Sequence, residues 1–349
     1  MPLCAMIGKK IDMNLLLTCA GRRNYLVNYF KEALNNSGKV IASDAQLNAP
    51  ALVDADIAVK VPSIYADNYI DTLLDVCREY KVNAIISLND LELPILAANK
   101  KKFEDLGVTV IVSDTSVIDI AFDKWKTTQF LESINVKTAK TFIDLEKALQ
   151  AIENGELKFP LVIKPRWGSA SIGIEFPETL DELKKAYELL ALRLSKTILA
   201  NASQEDAAHA ILIQEKLDGQ EYGMDVLNDL QGNFVAAFAK KKLAMRAGET
   251  DKSISVVDER FAETGKKLGS SLKHIGNLDC DIFEYKNELY VLELNPRFGG
   301  GYPFTHESGA KITNAIVGWL NGNNDISEFL NFQPGRAFSK CDRLMSVPV

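Results

Sequence analysis

Residues 14–112 set five short apolar runs apart by helix-length stretches, and that alternation constrains the fold more than any other feature of the chain. The runs are Asn14–Thr18, Val40–Ser43, Ile57–Val61, Ala84–Leu88 and Val108–Val112. Between them, Asp67–Tyr80 puts Ile70, Leu73, Leu74 and Cys77 on one helical face, and Leu91–Glu104 supplies another helix. Such alternation predicts a parallel sheet covered on both faces. Ligands of these sheets lie beyond the C-terminal strand ends. That rim holds Arg22, Arg23, Asp44, Asn89 and Asp90, the candidate substrate contacts. A dinucleotide reading has little to rest on, because Gly21 stands alone before two arginines and the Gly-x-Gly-x-x-Gly fingerprint is missing.

From about Ser116 the pattern changes to an α+β body. Helical stretches at Asp123–Ser133, Leu145–Glu153 and Leu180–Leu194 are followed by strand-rich sequence: Ala210–Gln214, Glu221–Asn228, Asn233–Lys240, Ser253–Val257, Asp281–Glu284 and Leu289–Leu294. With 349 residues the chain holds two or three domains. The predicted division is 1–115, 116–325 with lobes at 123–215 and 216–325, and a tail at 326–349. Composition narrows the function classes. A net charge of -7 is a poor footprint for a nucleic-acid binder, and no apolar run approaches membrane-spanning length. Five scattered cysteines and three histidines without metal-ligand spacing disfavour disulfides and zinc, and predict free thiols in a reducing cytoplasm.

Three segments carry chemistry. Phe159–Lys164 is an apolar strand ending in a lysine beside the Gly168-Ser169-Ala-Ser171-Ile-Gly173 loop. A fixed cation next to backbone N–H groups suits phosphate oxygens, although a Gly/Ser loop can equally be a turn. Asp281–Glu284 and Leu289–Leu294 flank Tyr285-Lys286-Asn287 as a hairpin. With a three-residue loop, Asp281 opposes residue 291 and shares a face with Glu293, Asn295 and Arg297; Asp279 is the alternative acid on that face. Carboxylates with an amide oxygen form a hard-oxygen set suited to nucleotide-borne Mg²⁺, and the arginine can neutralise a phosphoryl group. The competing reading is a solvated edge hairpin. In the third segment, a strand breaks at Glu215–Gly219 and resumes at Glu221, as a hinge or as a plain turn.

Taken in order, Asp123-Lys124, Ile163-Lys164-Pro165 with the Gly168–Gly173 loop, Gln214–Glu221, and Asp281 with Glu293-Leu-Asn295-Pro-Arg297 resemble the ATP-grasp superfamily. Within it the chain looks most like the single-module group related to the carbamoyl-phosphate synthetase large subunit. The resemblance implies a Rossmann-like pre-ATP-grasp domain before a two-lobed ATP-grasp body. It implies that Lys124, Lys164, Gly168, Ser169, Ser171 and Gly173 contact the phosphates of ATP. Glu215 and Leu217 would hold adenine by main-chain groups, and Glu221 the ribose. Asp281, Glu293 and Asn295 would bind Mg²⁺, or Mn²⁺, while Arg297, Lys164 and Arg246 would act on the reacting groups. Arg246 and Lys252 remain readable as ordinary surface charges. Lysines at 124 and 164 depart from the arginines typical of the carbamoyl-phosphate synthetases, and one module stands where those enzymes use two.

The implied function is a cytoplasmic Mg-ATP-dependent ligase. It would activate a small-molecule carboxylate as an acyl phosphate for attack by an amine, without nucleic-acid or membrane partners, and with a homodimer as the expected assembly if it associates. The alternatives are an ATP-binding regulatory or assembly protein without turnover and, further off, an NAD(P)-dependent oxidoreductase.

Overall fold

The computed structural model describes residues 13–168, 173–194, 196 and 206–348. The chain packs as two compact units. The first takes in the chain up to Val112 together with Lys311–Leu330 and the residues from Asp342; the second is Ser113–Ala310 with Asn331–Cys341.

The first unit runs β1 (Leu15–Thr18), α1 (Asn24–Leu34), β2 (Val40–Asp44), α2 (Pro50–Asp54), β3 (Ile57–Lys60), α3 (Tyr69–Glu79), β4 (Ala84–Ser87), α4 (Leu93–Glu104) and β5 (Thr109–Ile111). The sheet has the order β3-β2-β1-β4-β5, and every pair is parallel. Both β1 and β4 are buried along their whole length, as strands covered on two faces must be. Helix α1 buries Leu26, Val27, Phe30 and Leu34. The expected α/β alternation is therefore present, with α2 as an additional short helix. A late helix, α11 (Ile312–Leu320), packs on α1 through its apolar side. Packing thus groups Lys311–Leu330 with the first unit, whereas the linear expectation ran the body on to residue 325.

The second unit opens with α5 (Thr115–Phe122) and α6 (Lys124–Ser133). Strands β6 (Thr141–Phe142), β7 (Leu161–Pro165) and β8 (Ile211–Glu215) form an antiparallel sheet in the order β6-β8-β7. It packs with α7 (Leu145–Glu153) and α8 (Leu180–Leu194) around Leu161, Ile163, Leu183, Leu190 and Ile213. The larger sheet is built from β9 (Gln220–Asn228), β10 (Phe234–Arg246), β11 (Glu249–Val256), β12 (Gly276–Tyr285), β13 (Glu288–Asn295) and β14 (Ala337–Ser339). Its order is β13-β12-β9-β10-β11-β14. Helices α9 (Glu259–Leu272) and α10 (Tyr302–Glu307) complete the unit.

Alternation splits the larger sheet into two chemically distinct faces. Tyr222, Met224, Val226, Ala239, Cys280, Ile282 and Leu294 point into a core shared with Phe261, Leu268 and Leu272 of α9. Their neighbours Glu221, Asp225, Lys240, Lys242, Asp279, Asp281, Glu293 and Asn295 lie at the intervening positions. Helix α9 escaped the periodicity reading because two of its core positions are glycines, Gly265 and Gly269, buried with no apolar side chain to count. A Cβ on Gly265 would stand 2.3 Å from Ala237 Cβ, so the helix backbone rests directly on the sheet.

Gly265→Ala should therefore destabilise the protein. Overpacking costs about 1–3 kcal/mol, against a helix-propensity gain of about 1 kcal/mol at most. Urea unfolding monitored by circular dichroism checks this, and a stabilised variant would contradict the close packing.

Candidate functional site

The acidic part of the polar face comes from one hairpin. Lys286 and Asn287 both have positive φ, 51° and 64°, the geometry of a two-residue type I′ turn. The three-residue loop expected here is one residue too long, since Tyr285 already pairs with Glu288. A bulge at Leu292 then shifts the register. Ile282 pairs with Val291, but Asp281 pairs with Glu293 and Asp279 with Asn295. Asp281 thus opposes Glu293 directly instead of residue 291. The bulge also reconciles Val291 and Leu294, of opposite parity, in the same core.

Lysines meet these carboxylates from three other elements. Lys242 of β10, its side chain 7% exposed, reaches Asp281 Oδ1 at 2.6 Å and Glu221 Oε1 at 2.5 Å. Burial opposes its charge, yet the two carboxylates outweigh burial and hold the ammonium well above its usual range. Lys124, the first residue of α6, lies 3.8 Å from Glu293 Oε1 and donates from Nζ to the Gly168 carbonyl. Lys164 of β7 is buried and donates to Gln214 Oε1 at 3.1 Å. Burial, and then the charge of Lys124, lower its pKa to about 8, with Glu293 and Asp281 pulling the other way. Lys164 is the least comfortable cation of the group and needs an anionic partner most.

Asp123 anchors Lys124. Its carboxylate caps α6 by accepting from the Trp125 and Lys126 N–H groups, and is gripped by Arg166 through Nε (2.8 Å) and Nη2 (2.7 Å). Beneath the site lies a second buried pair that the sequence reading missed. Lys240 Nζ is 2.6 Å from Asp225 Oδ2, both residues almost fully buried. Thr305 Oγ1 donates to the same oxygen at 2.5 Å, and Asn277 Nδ2 to Asp225 Oδ1 at 2.9 Å. Asp225 is the register neighbour of Asp279. Burial raises the pKa of Asp279 while Arg297, 3.0 Å away, opposes the rise.

The remaining candidates are distributed as follows. Gly168 and Gly173 flank the loop, and both have positive φ (113° and 73°); Ser169 and Ser171 lie outside the described residues. Glu215 accepts the Lys140 N–H with its carboxylate at 2.7 Å and donates its own N–H back to the Lys140 carbonyl. Those groups are occupied, while Leu217 is buried just beyond the strand. Arg246, at the tip of the β10–β11 hairpin, has its Nε 3.3 Å from Asp251 Oδ1. Lys252 pairs in β11 with Ser339. Among the described residues no three His, Cys, Asp or Glu side chains converge as a ready-made metal site. Asp281 and Glu293 face each other, with Asn295 two residues on. That oxygen set fits a cation arriving with phosphates, because Mg²⁺ commonly takes one or two protein carboxylates plus substrate oxygens.

The predicted rim belongs to the first unit. Gly21 donates its N–H to Asp44 Oδ2 at 2.9 Å, and Asp44 Oδ1 accepts the Gln46 N–H. Arg23 bonds Tyr25, Asn89 caps the Leu91 N–H, Asp90 is buried and Arg22 is exposed. The residue overlooked here is Glu92. Its fully buried carboxylate accepts from Thr18 (2.7 Å), Ser87 (2.6 Å) and Tyr69 (2.5 Å). Burial raises its pKa against those three hydroxyls. Thr18 and Ser87 end β1 and β4, the strands at the topological switch point. A carboxylate bridging that point, and a Gly21 N–H already bonded to Asp44, leave poor accommodation for a dinucleotide pyrophosphate.

Comparison with known proteins agrees with this architecture. Residues 15–111 match the PylC-like N-terminal domain and residues 157–305 the ATP-grasp domain. The carbamoyl phosphate synthase large chain of Clostridium botulinum (strain Kyoto / Type A2) is 24% identical over 270 residues, covering 74% of this chain. This chain spans only 24% of that relative's length. An L-amino acid ligase from Bacillus licheniformis superposes with a TM-score of 0.68 at 21% identity, covering 95% of this chain and 80% of that one. The biotin carboxylase domain dimer of Hydrogenobacter thermophilus 2-oxoglutarate carboxylase, solved with MgADP, ADP and bicarbonate, gives 0.74 at 17% identity, covering 94% and 73%. With these two matches in this order, the chain carries an ATP-grasp domain behind a PylC-like N-terminal domain.

Proposed function

We propose that the protein is an Mg-ATP-dependent ligase that activates a substrate carboxylate as an acyl phosphate and passes it to an amine. The observation that carries this reading is the meeting of Lys124 and Lys164 with Asp281 and Glu293. Two buried cations lie beside paired hard-oxygen ligands within a single unit. No single ion pair requires such an arrangement, whereas a triphosphate with its cation fits it.

Lys124 and Lys164 bind phosphate oxygens, and Asp281, Glu293 and Asn295 would hold the cation. Bound with the nucleotide, Mg²⁺ (or Mn²⁺) would neutralise phosphate charge. The backbone beyond Glu215, at Lys216–Leu217, receives adenine, and Glu221 the ribose. A carboxylate oxygen attacks the γ-phosphorus, the bond to the β-phosphate oxygen breaks, and ADP leaves. The amine nitrogen then attacks the acyl carbon, the acyl–oxygen bond breaks, and phosphate departs as the nitrogen loses its proton. Arg297 stabilises the charge on the transferred phosphoryl group, with Arg246 as a further cation on the substrate side. The chain's contribution is placement and charge compensation, as in other phosphoryl transfers. The arginine-bearing rim of the first unit supports an anionic acid substrate. A homodimer is the favoured assembly, on the precedent of the dimeric biotin carboxylase domain.

Glu293→Gln should reduce acid-dependent ADP release by about 100-fold or more while leaving the melting temperature unchanged; full activity would remove Glu293 from the metal set. Lys164 supplies a pH test. Its cation is the form that meets phosphate, and it is lost as pH rises through about 8. The kcat/KM for ATP, which reports the free enzyme, should accordingly fall above that pH. In Lys164→Arg, which stays charged, the alkaline limb should disappear even if the plateau is lower. A limb unchanged in that variant would assign the ionisation elsewhere.

A further inference from the structure

The glycine segment that follows Arg297 lies bare against charged side chains. A Cβ on Gly299 would stand 2.1 Å from an Asp279 oxygen, and one on Gly300 2.7–3.0 Å from the Glu249 carboxyl group. One on Gly301 would be 2.8 Å from Lys240 Cε. Asp279 and Lys240 belong to the polar face already described; Glu249 does not. It opens β11, and its Oε2 is 3.1 Å from the Nζ of Lys340, in the C-terminal segment.

That segment is fastened to β11 along its length. Ala337, Phe338 and Ser339 pair with Ile254, Ser253 and Lys252. The Lys340 N–H donates to the Asp251 carbonyl, and Gly335 to that of Ser255. The Ser255 hydroxyl donates to the Gln333 carbonyl at 2.6 Å, and the Phe332 ring packs tilted against Phe238 of β10 with centroids 5.2 Å apart. The docked strand therefore delivers Lys340 to Glu249 with little freedom, and Glu249 forms the wall against which Gly300 rests. An exposed ion pair contributes little to stability, so its consequence lies in where it holds Glu249.

We propose that Lys340, acting through Glu249, is a positioning residue that fixes the Gly299–Gly301 segment and with it the placement of Arg297. The proposal rests on the ligase reading, because it assigns a kinetic role to Arg297's surroundings. A misplacement of about 1 Å can cost about 100-fold in rate.

Lys340→Ala, Glu249→Ala, Lys340→Arg, Gly300→Ala and the Lys340→Ala/Gly300→Ala double variant are compared with the full-length protein. The readouts are ADP release from MgATP across a panel of paired carboxylic acids and amines, thermal melting, and hydrogen–deuterium exchange over residues 297–303. Lys340→Ala and Glu249→Ala should lower kcat about tenfold or more, leaving KM for ATP within about twofold and the melting temperature unchanged. Lys340→Arg should restore the rate. Gly300→Ala displaces Glu249 by its added Cβ, so the double variant should lose no more than either single one, the signature of a shared pathway. Wild-type kcat in both alanine variants would overturn the proposal, as would losses confined to KM for ATP or to melting. If the unmodified protein releases no ADP with any pair, the ligase reading fails instead. Exchange still decides the positioning role in that case: faster in Lys340→Ala supports it, unchanged overturns it.

Discussion

Neutralising the charged face of the larger sheet is the constraint on which the rest of the second unit depends. Asp279 and Asp225 are direct register neighbours on β12 and β9, and like charges opposite one another destabilise a sheet. Each has its own cation, Arg297 for Asp279 and Lys240 for Asp225. Removing one partner from a buried pair such as Lys240–Asp225 typically costs 3–5 kcal/mol, about the scale of a domain's whole stability margin. Thr305 and Asn277 satisfy the other lone pairs of Asp225, which is what makes so buried a carboxylate tolerable. Strand β10 therefore contributes more than a sheet edge. Its alternate lysines at 240 and 242 balance acids from β9 and β12.

Room for those lysines comes from glycine. Gly223 is the register partner of both Lys240 and Asp281, and a Cβ there would be 3.2 Å from Lys240 Cε. The row Glu293–Asp281–Gly223–Lys240 is consequently charged at its ends and open in the middle. The Gly299–Gly301 segment likewise brings bare backbone up to Asp279, Glu249 and Lys240. Glycine here serves close approach of backbone to charge, and the flexibility that three consecutive glycines suggest is not its evident purpose.

The first unit solves a different problem with the same economy of ionised groups. Its switch point, where an open α/β sheet usually receives its ligand, is spanned by Glu92 and three hydroxyls. Desolvation of that carboxyl is opposed by hydrogen bonds from Ser87, Tyr69, Thr18 and Cys19. The glycine turn after β1 resembles a nucleotide-binding turn in position, but its N–H is already bonded to Asp44. Our proposal accordingly assigns nucleotide chemistry to the second unit's lysines and hairpin.

Much was legible in the sequence alone. Period-two and period-3.6 patterns are local, so the parallel sheet, helices α7 and α8 and most strands could be placed from residue order. The motif order also singled out Lys124, Lys164, Asp281, Glu293, Asn295 and Arg297 as candidates, and the fold brings Lys124 to Glu293 and Asp281 opposite Glu293. What remained hidden was pairing across strands and across long separations. Lys240-Lys241-Lys242 reads as surface charge until register shows that 240 and 242 face Asp225, Glu221 and Asp281. Helix α9 was masked by glycines whose packing role exists only against β9 and β10. The hairpin register could not be derived, because a type I′ turn and a bulge at Leu292 each shift it by one residue. Glu92, Glu249 and Lys340 carry no sequence signature at all. Sequence determined which groups the protein owns and which segments are strands or helices, since both follow from local chemistry. Tertiary structure alone decided which charges meet, because burial makes an ion pair costly or useful only once folding has removed the water between its partners.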